Sequence, residues 1–280
     1  MTISELLRDA TDKLNNAGCE NAYFDAVCLM EQATGKDRSS LLLSAFSEPG
    51  SDAAENFLKY VERRASREPL QYILGNWEFM GLLFNVGPGV LIPRPETELL
   101  IDFAIERLKT NTENPVVFDL CAGTGCIGIS IAKFCPQVTV FLLENSPEAY
   151  KYLLANIELH SLDNVKPLLK DVFNGYCSDE LPEPDLIVSN PPYIATAELE
   201  TIQREVLFEP ASALDGGEDG LIFYRCLATQ WLPYLKDEGA MAVEIGDTQG
   251  EDVLRIFQHG DRNVTLLKDF SGKSRVVRIT

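Results

Sequence analysis

Two short segments carry residue types that can do chemistry together. The first, VVFDLCAGTGCIG (Val116 to Gly128), reads as a strand ending at Asp119, followed by Gly123, Gly125 and Gly128 opening a helix. Glycines there let a ligand approach the backbone and lie against a helix N-terminus. Taken alone, such a turn suits a dinucleotide, a nucleoside or a tight connection. No Lys-Ser/Thr follows the glycines, which excludes a phosphate-cradling P-loop. The second segment, DLIVSNPPYI (Asp185 to Ile194), ends another strand in Asn190, Pro191, Pro192 and Tyr193. Proline fixes φ and has no N–H, so this shelf presents mainly acceptors. The Asn190 side-chain oxygen and the Pro191 carbonyl suit both hydrogens of a planar –NH2, and Tyr193 can stack on the group that carries it. Loop punctuation after a strand is the plainer meaning of Asn-Pro-Pro.

The order Asp-x-x-x-Gly-x-Gly, with an acidic residue ending the strand, resembles the S-adenosylmethionine-binding motif more than GxGxxG. The next strand ends FLLENS, which puts Glu144 at its carboxyl tip about twenty residues after the turn, where an acid can accept both hydroxyls of a ribose. A helix cap at Ser146 and Pro147 is the alternative reading of Glu144. The third strand ends LLKDVF, so Asp171 is expected to meet an adenine amino group with Val172 beside the ring. A shelf of acceptors beside a sulfonium donor addresses a definite problem. An amide or ring-conjugated nitrogen is a poor nucleophile because its lone pair is delocalised. Holding both N–H bonds orients that lone pair toward the methyl group and stabilises positive charge as it develops on nitrogen. No strong general base is needed before transfer, so the presence of only two histidines is no objection.

The elements that must position these residues are legible in outline. Residues 1–75 read as a small helical bundle: Thr2 and Glu5 form a capping box, Ala26 to Ala33 is a helix closed by Gly35, and Ser51 to Arg67 is another. Between residues 76 and 95, LLFNV and VLIP read as two short strands joined at Gly87, Pro88 and Gly89, a hairpin linking two domains. Residues 96–280 then alternate strands and helices, beginning with a helix from Glu96 to Leu108. This implies a mostly parallel, doubly wound α/β sheet.

The 280 residues contain 24 Lys plus Arg against 43 Asp plus Glu, a net charge of −19 that disfavours a free polyanion as partner. Arg63, Arg64 and Arg67 form the one basic cluster that stands out, expected as a solvated helix face or a patch for a partner. Seven scattered cysteines without a CxxC pair, and His160 and His259 without a cysteine at ligand spacing, argue against disulfides or a zinc site, so no metal is expected. No apolar run approaches the length of a membrane span, and MTISELLRD lacks a signal-peptide pattern; a cytoplasmic protein is expected.

The shelf Asn190 to Tyr193 is similar to that of methyltransferases acting on adenine in DNA or RNA, and so does not name a substrate. REPLQYILGNWEFMGLLFNVGPGVLIPRPETELL (Arg67 to Leu100), EPASALDGGEDGL (Glu209 to Leu221), EIGDTQG (Glu244 to Gly250) and DFSGKSR (Asp269 to Arg275) closely resemble the release-factor glutamine methyltransferases over almost the whole chain. That resemblance implies a Rossmann-like class I methyltransferase domain with a seven-stranded, mostly parallel sheet, an N-terminal helical substrate-recognition domain and a connecting β-hairpin. It implies S-adenosylmethionine as donor and, as acceptor, the glutamine of the Gly-Gly-Gln motif of class 1 peptide-chain release factors. The enzyme would act as a monomer and would not bind nucleic acid directly. By the same resemblance Asp119, Cys121, Ala122, Gly123, Thr124, Gly125, Glu144, Asp171, Val172 and Asn190 serve the cofactor, and Asn190, Pro191, Pro192 and Tyr193 hold the glutamine, with Asn190, Pro191 and Tyr193 at the transfer centre. Four positions depart from the family pattern: Cys121-Ala122 stands where Gly-Thr or Gly-Ser is frequent, Glu144 where Asp is frequent, and Val172 where an aromatic is common. A nucleic-acid amino methyltransferase would need a basic groove and base-flipping elements that the sequence does not display. A non-catalytic nucleoside-binding protein would have no use for an –NH2 shelf.

Overall fold

The computed structural model describes residues 1–109, 114–258 and 261–280; His259 lies outside them. The chain forms two compact units, Met1–Asn76 with Gln203–Phe208, and Trp77–Ile202 with Glu209–Thr280.

In the first unit, helices α1 (Ile3–Asn16), α2 (Ala22–Thr34), α3 (Arg38–Leu43), α4 (Ser51–Ala65) and α5 (Leu70–Leu74) pack around Leu6, Leu14, Leu29, Met30 and Phe57. The Thr2–Glu5 capping box forms in both directions, and Gly35 ends α2 in the left-handed conformation. Arg63 is exposed, as expected of a solvated face, but Arg64 and Arg67 are not. Arg64 is buried, its Nε 2.7 Å from Asp25 Oδ2; Arg67 grips Glu205 through two bonds of 2.6 Å; and Arg63 pairs with Glu68. The cluster is spent on carboxylates of its own unit, because a guanidinium taken out of water needs acceptors in place.

In the second unit, β1 (Asn76–Phe79) and β2 (Leu82–Asn85) make the hairpin. Its turn is Met80-Gly81, both at positive φ (53° and 71°), the backbone that matches strand twist in a two-residue loop. A turn does form at Gly87–Gly89, with the Val90 N–H bonded to the Gly87 carbonyl, but it joins no strands: the expectation of a hairpin there, with VLIP as its second strand, is corrected. Residues 87–89 instead run across a helix so closely that a Cβ on Gly87 would strike the Tyr152 hydroxyl, and the Ile92 N–H bonds to the Glu209 carboxylate at 3.0 Å instead of to a strand.

Helix α6 (Glu98–Leu108) follows a single 3-10 turn, and the sheet is then built from β3 (Val116–Leu120), β4 (Thr139–Glu144), β5 (Val165–Leu169), β6 (Leu186–Ser189), β7 (Ala240–Glu244), β8 (Val264–Lys268) and β9 (Ser274–Ile279). Helices α7 (Cys126–Phe134), α8 (Pro147–His160), α9 (Ile222–Gln230) and α10 (Gly250–Phe257) complete the unit. The order is β5-β4-β3-β6-β7-β9-β8, with β9 antiparallel to both neighbours and the other pairs parallel. Strands β3, β6 and β7 are buried on both faces, so they read as continuous apolar runs and not as alternating ones. The chain winds outward from β3 through β4 to β5, then returns to β6 on the other side of β3. The carboxyl ends of β3 and β6 thus form a topological switch point, where open α/β sheets bind ligands. Among the described residues no helix is long and apolar enough to cross a membrane.

Candidate active site

Register alone brings the two chemical segments together. Leu120 pairs with Ser189 across β3 and β6, and the Ser189 hydroxyl donates to the Leu120 carbonyl at 2.6 Å, so Cys121 and Asn190 leave the sheet side by side. Above them lies a cleft of about 840 Å³, open in part to solvent. Cys121, Ala122, Gly123, Thr124, Glu144, Val172, Asn190 and Pro192 line it with Arg94, a residue expected at the pocket rim, as do Thr97, Lys170 and Phe223, which the motif reading left unassigned. Asp119, Gly125, Asp171, Pro191 and Tyr193 are not among the lining residues.

The glycine turn is held from several sides. Gly123 adopts φ +56°, and a Cβ built on it meets only Val90 at 3.9 Å, so its requirement is conformational and its face toward the cleft is bare backbone. Gly128 is glycine for space: a Cβ there would collide with Leu142 where α7 presses on β4. The Glu144 carboxylate accepts from the Gly123 N–H at 2.8 Å and from the Ser146 N–H at 2.7 Å, while Ser146 itself caps α8. Burial raises its pKa against those backbone bonds. The longer Glu in place of Asp thus spans from the strand tip to the turn. Asp119, fully buried, acts behind the turn and not in the cleft. Its Oδ2 accepts from the Gly128 N–H at 2.9 Å, its Oδ1 has no partner among the described residues, and burial pushes its pKa up to about 7. Asp171 caps the short 3-10 turn after β5 through the Phe173 N–H at 2.9 Å. Cys121 takes φ +65°, a position that a glycine would occupy without strain, and burial drives its thiol pKa well above the ordinary value.

A residue that motif reading missed ties these parts to the hairpin. Asn156, fully buried on α8, accepts from the Asn85 N–H at 2.7 Å and donates to the carbonyls of Asn85 (3.2 Å) and Thr124 (3.0 Å). No local signal singles out an Asn in mid-helix, since its partners come from β2 and the glycine turn.

The shelf is held as firmly. Gln249, in EIGDTQG, donates through Nε2 to the Tyr193 carbonyl at 2.8 Å and to the Gly220 carbonyl at 3.2 Å. The strand end continues into EPASALDGGEDGL: the Ile194 N–H donates to Leu214 and the Gly216 N–H returns to Ile194. A Cβ on Gly216 would lie 2.8 Å from the Tyr193 Cα. Glu209, which opens that segment, is buried and paired with Arg94. Motifs far apart in the chain thus brace the four residues of the shelf.

Within the shelf, Asn190 Nδ2 donates to Thr97 Oγ1 at 3.2 Å, and the Thr97 hydroxyl donates to Glu244 Oε2 at 2.7 Å. Asn190 Oδ1 has no donor among the described residues. Thr97 and Glu244 are buried; Glu244 follows Val243, which pairs with Ser189, so the β6–β7 register sets it beside Asn190.

The donor set suits a nucleoside with an amino-acid arm: an anchored carboxylate at the second strand tip, open backbone at the turn, apolar walls from Val90, Ile127 and Phe223, and the Asn190 carboxamide at the cleft. A switch-point cleft of this kind in a seven-stranded sheet with one reversed strand belongs to the class I S-adenosylmethionine-dependent methyltransferases. The methyltransferase small domain matches residues 97–232, and the PrmC N-terminal domain matches residues 5–75. A release factor glutamine methyltransferase of Clostridium botulinum is 36% identical over 281 residues, 99% of each chain, and one of Geobacter sulfurreducens is 39% identical over 99% of this chain and 95% of its own. A methyltransferase structure from Pyrococcus furiosus shares the fold at 17% identity (TM-score 0.52, covering 72% of this chain and 89% of that one). The chain belongs to the release factor glutamine methyltransferase family.

Proposed function

We propose that this enzyme methylates the side-chain amide nitrogen of the glutamine in the Gly-Gly-Gln motif of class 1 peptide-chain release factors, and so modulates translation termination. The observation that carries the reading is the orientation of Asn190: its NH2 is engaged by Thr97, which leaves Oδ1 to accept from an incoming –NH2. S-adenosylmethionine supplies an electrophilic methyl group when bound. The Asn190 oxygen and the Pro191 carbonyl take the two N–H bonds of the glutamine amide, turning its lone pair toward that methyl group. Tyr193 is the candidate to lie against the amide plane, although its ring is not part of the cleft lining. As positive charge grows on the nitrogen the same two oxygens hold it more strongly than in the ground state, which is where their catalytic value lies.

On the donor side, Glu144 holds the ribose and the backbone from Cys121 to Gly125 faces the methionine arm. Val172 and Asp171 flank the adenine, and Asp119 supports the turn from beneath. The division of labour follows the chain: residues 1–75 as a helical recognition domain, 76–95 as a hairpin linker, and 96–280 as the transfer domain. We read the enzyme as a cytoplasmic monomer without direct nucleic-acid contacts; the net charge of −19 favours a protein acceptor over a polyanion.

The test is transfer of labelled methyl to a full-length release factor, to the same factor with its motif glutamine replaced by alanine, and to mixed DNA and RNA. Label in the intact factor alone supports the reading, and label in nucleic acid but not in the factor overturns it. Asn190→Ala should lower turnover by about a hundredfold or more while S-adenosylhomocysteine still binds.

A further inference from the structure

We infer that Thr97 and Glu244 are positioning residues that act on the reaction through Asn190, fixing which end of its carboxamide faces the cleft. The inference rests on the reading of Asn190 as the acceptor for the substrate –NH2.

A carboxamide has two ends of almost equal size, and its function depends on which one points inward. An inward oxygen accepts from the substrate nitrogen, whereas an inward NH2 confronts that nitrogen with like hydrogens. Nothing about the shape of Asn190 decides between them, but its neighbour does. Thr97 has one hydroxyl proton, which is donated to Glu244 Oε2 at 2.7 Å. Its oxygen can then only accept from Asn190, at 3.2 Å, so Nδ2 must face Thr97 and Oδ1 must face the cleft. Both partners are buried, which leaves little water to offer an alternative donor or acceptor. Glu244 is itself fastened in the sheet, its backbone carbonyl accepting from the Tyr224 hydroxyl at 2.9 Å. The direction of the whole chain is therefore set at its far end, by a carboxylate that accepts.

Protonation of Glu244 reverses that direction. With its proton on Oε2 the carboxylic acid donates to Thr97, the Thr97 proton swings toward Asn190, and the amide is satisfied only with its oxygen turned away from the cleft. Burial pushes the Glu244 pKa up to about 7; Glu96 raises it further, while the Thr97 hydroxyl and the charges of Arg275 and Arg94 oppose the rise. Tyr193, Tyr224 and Cys126 also face it, all held neutral by pKa values well above this range. Activity should accordingly fall on the acid side of neutrality.

The experiment measures kcat at saturating release factor from about pH 6 to about pH 8, together with binding of S-adenosylhomocysteine. Thr97→Val, which keeps the shape but removes the relay, should lower kcat by about a hundredfold with the binding constant within about threefold of wild type. Thr97→Ser should restore kcat to within about threefold. Wild-type kcat should fall as pH drops below about 7, and Glu244→Gln should show a lower but flat profile. The inference is overturned if Thr97→Val keeps kcat within about twofold of wild type, or if wild-type kcat is flat across the range. The latter measurement decides the matter even if Thr97→Val does not fold. An inactive Asn190→Ala beside an active Thr97→Val would remove the relay alone, whereas an active Asn190→Ala would remove the reading on which it rests.

Discussion

The Glu144 carboxylate takes the backbone N–H of Gly123 at 2.8 Å, so the tip of one strand sets the turn that follows its neighbour. The same carboxylate takes the Ser146 N–H, and ligand binding therefore starts from a turn already in place.

Removing this acceptor should cost twice. Glu144→Ala takes the carboxylate partner from two part-buried backbone N–H groups at the rim of the cleft, which lowers stability by about 1 kcal/mol. It also weakens S-adenosylhomocysteine binding by about tenfold or more through loss of the proposed ribose contact. Glu144→Gln retains one of the two acceptor oxygens and turns an NH2 toward the other N–H, so it should recover only part of the stability while still losing affinity. Denaturant titration and calorimetry separate the two effects; equal loss of stability in both variants would contradict the bracing role.

Gly123→Val should behave differently from a crowding mutation. Space for a Cβ exists, since the nearest atom is 3.9 Å away, but φ is +56°, a conformation that a β-branched residue adopts only under strain. The added side chain also covers the bare backbone facing the cleft. Both ligand binding and transfer should be lost while the far-ultraviolet circular dichroism remains native.

Gln249→Ala probes the shelf from behind. Its amide holds the Tyr193 carbonyl at 2.8 Å without touching the cleft. The expected result is a fall in kcat/KM for the release factor of about ten- to a hundredfold with S-adenosylhomocysteine affinity unchanged. A parallel loss of both would mean that Gln249 supports the fold and not the shelf.

Asp119 should leave a mark on stability against pH. Its pKa is about 7 in the folded chain against 3.8 for the model acid, with burial the main cause, the Glu144 charge adding to it and the Gly128 N–H opposing it. The folded state therefore holds a proton that the unfolded state has released, so this group makes stability fall as pH rises from about 4 to about 7. Asp119→Asn keeps an oxygen for Gly128 and removes the titration. Its melting temperature relative to wild type should rise across that window; parallel curves would exclude the effect.

Local patterning made much of this protein legible in one dimension. The apolar runs of β3, β4 and β6, the cap at Ser146 and the glycine turn each depend on neighbours a few residues away, and the sheet expected from them has formed. The hairpin turn escaped because its signal is Met80 at positive φ, a conformation that tertiary packing imposes on a residue that does not favour it. Arg64 escaped because a charge reads as solvated until Asp25 and Glu205 are seen beside it. Asn156 carries no mark in the sequence that separates it from ordinary polar residues, and Thr97, Glu244 and Gln249 lie in segments that resemble the family without any sign of what each side chain bonds to. Apart from the local bond of the Gly246 N–H to Gln249, the side-chain partners named above lie 20 to 147 residues away. The sequence by itself determined the family, the kind of donor and the acceptor shelf, because those reside in contiguous motifs. Only the tertiary structure decided which way Asn190 faces, since that follows from strand order: β7 lies beside β6 and sets a buried carboxylate at the end of its hydrogen-bond chain.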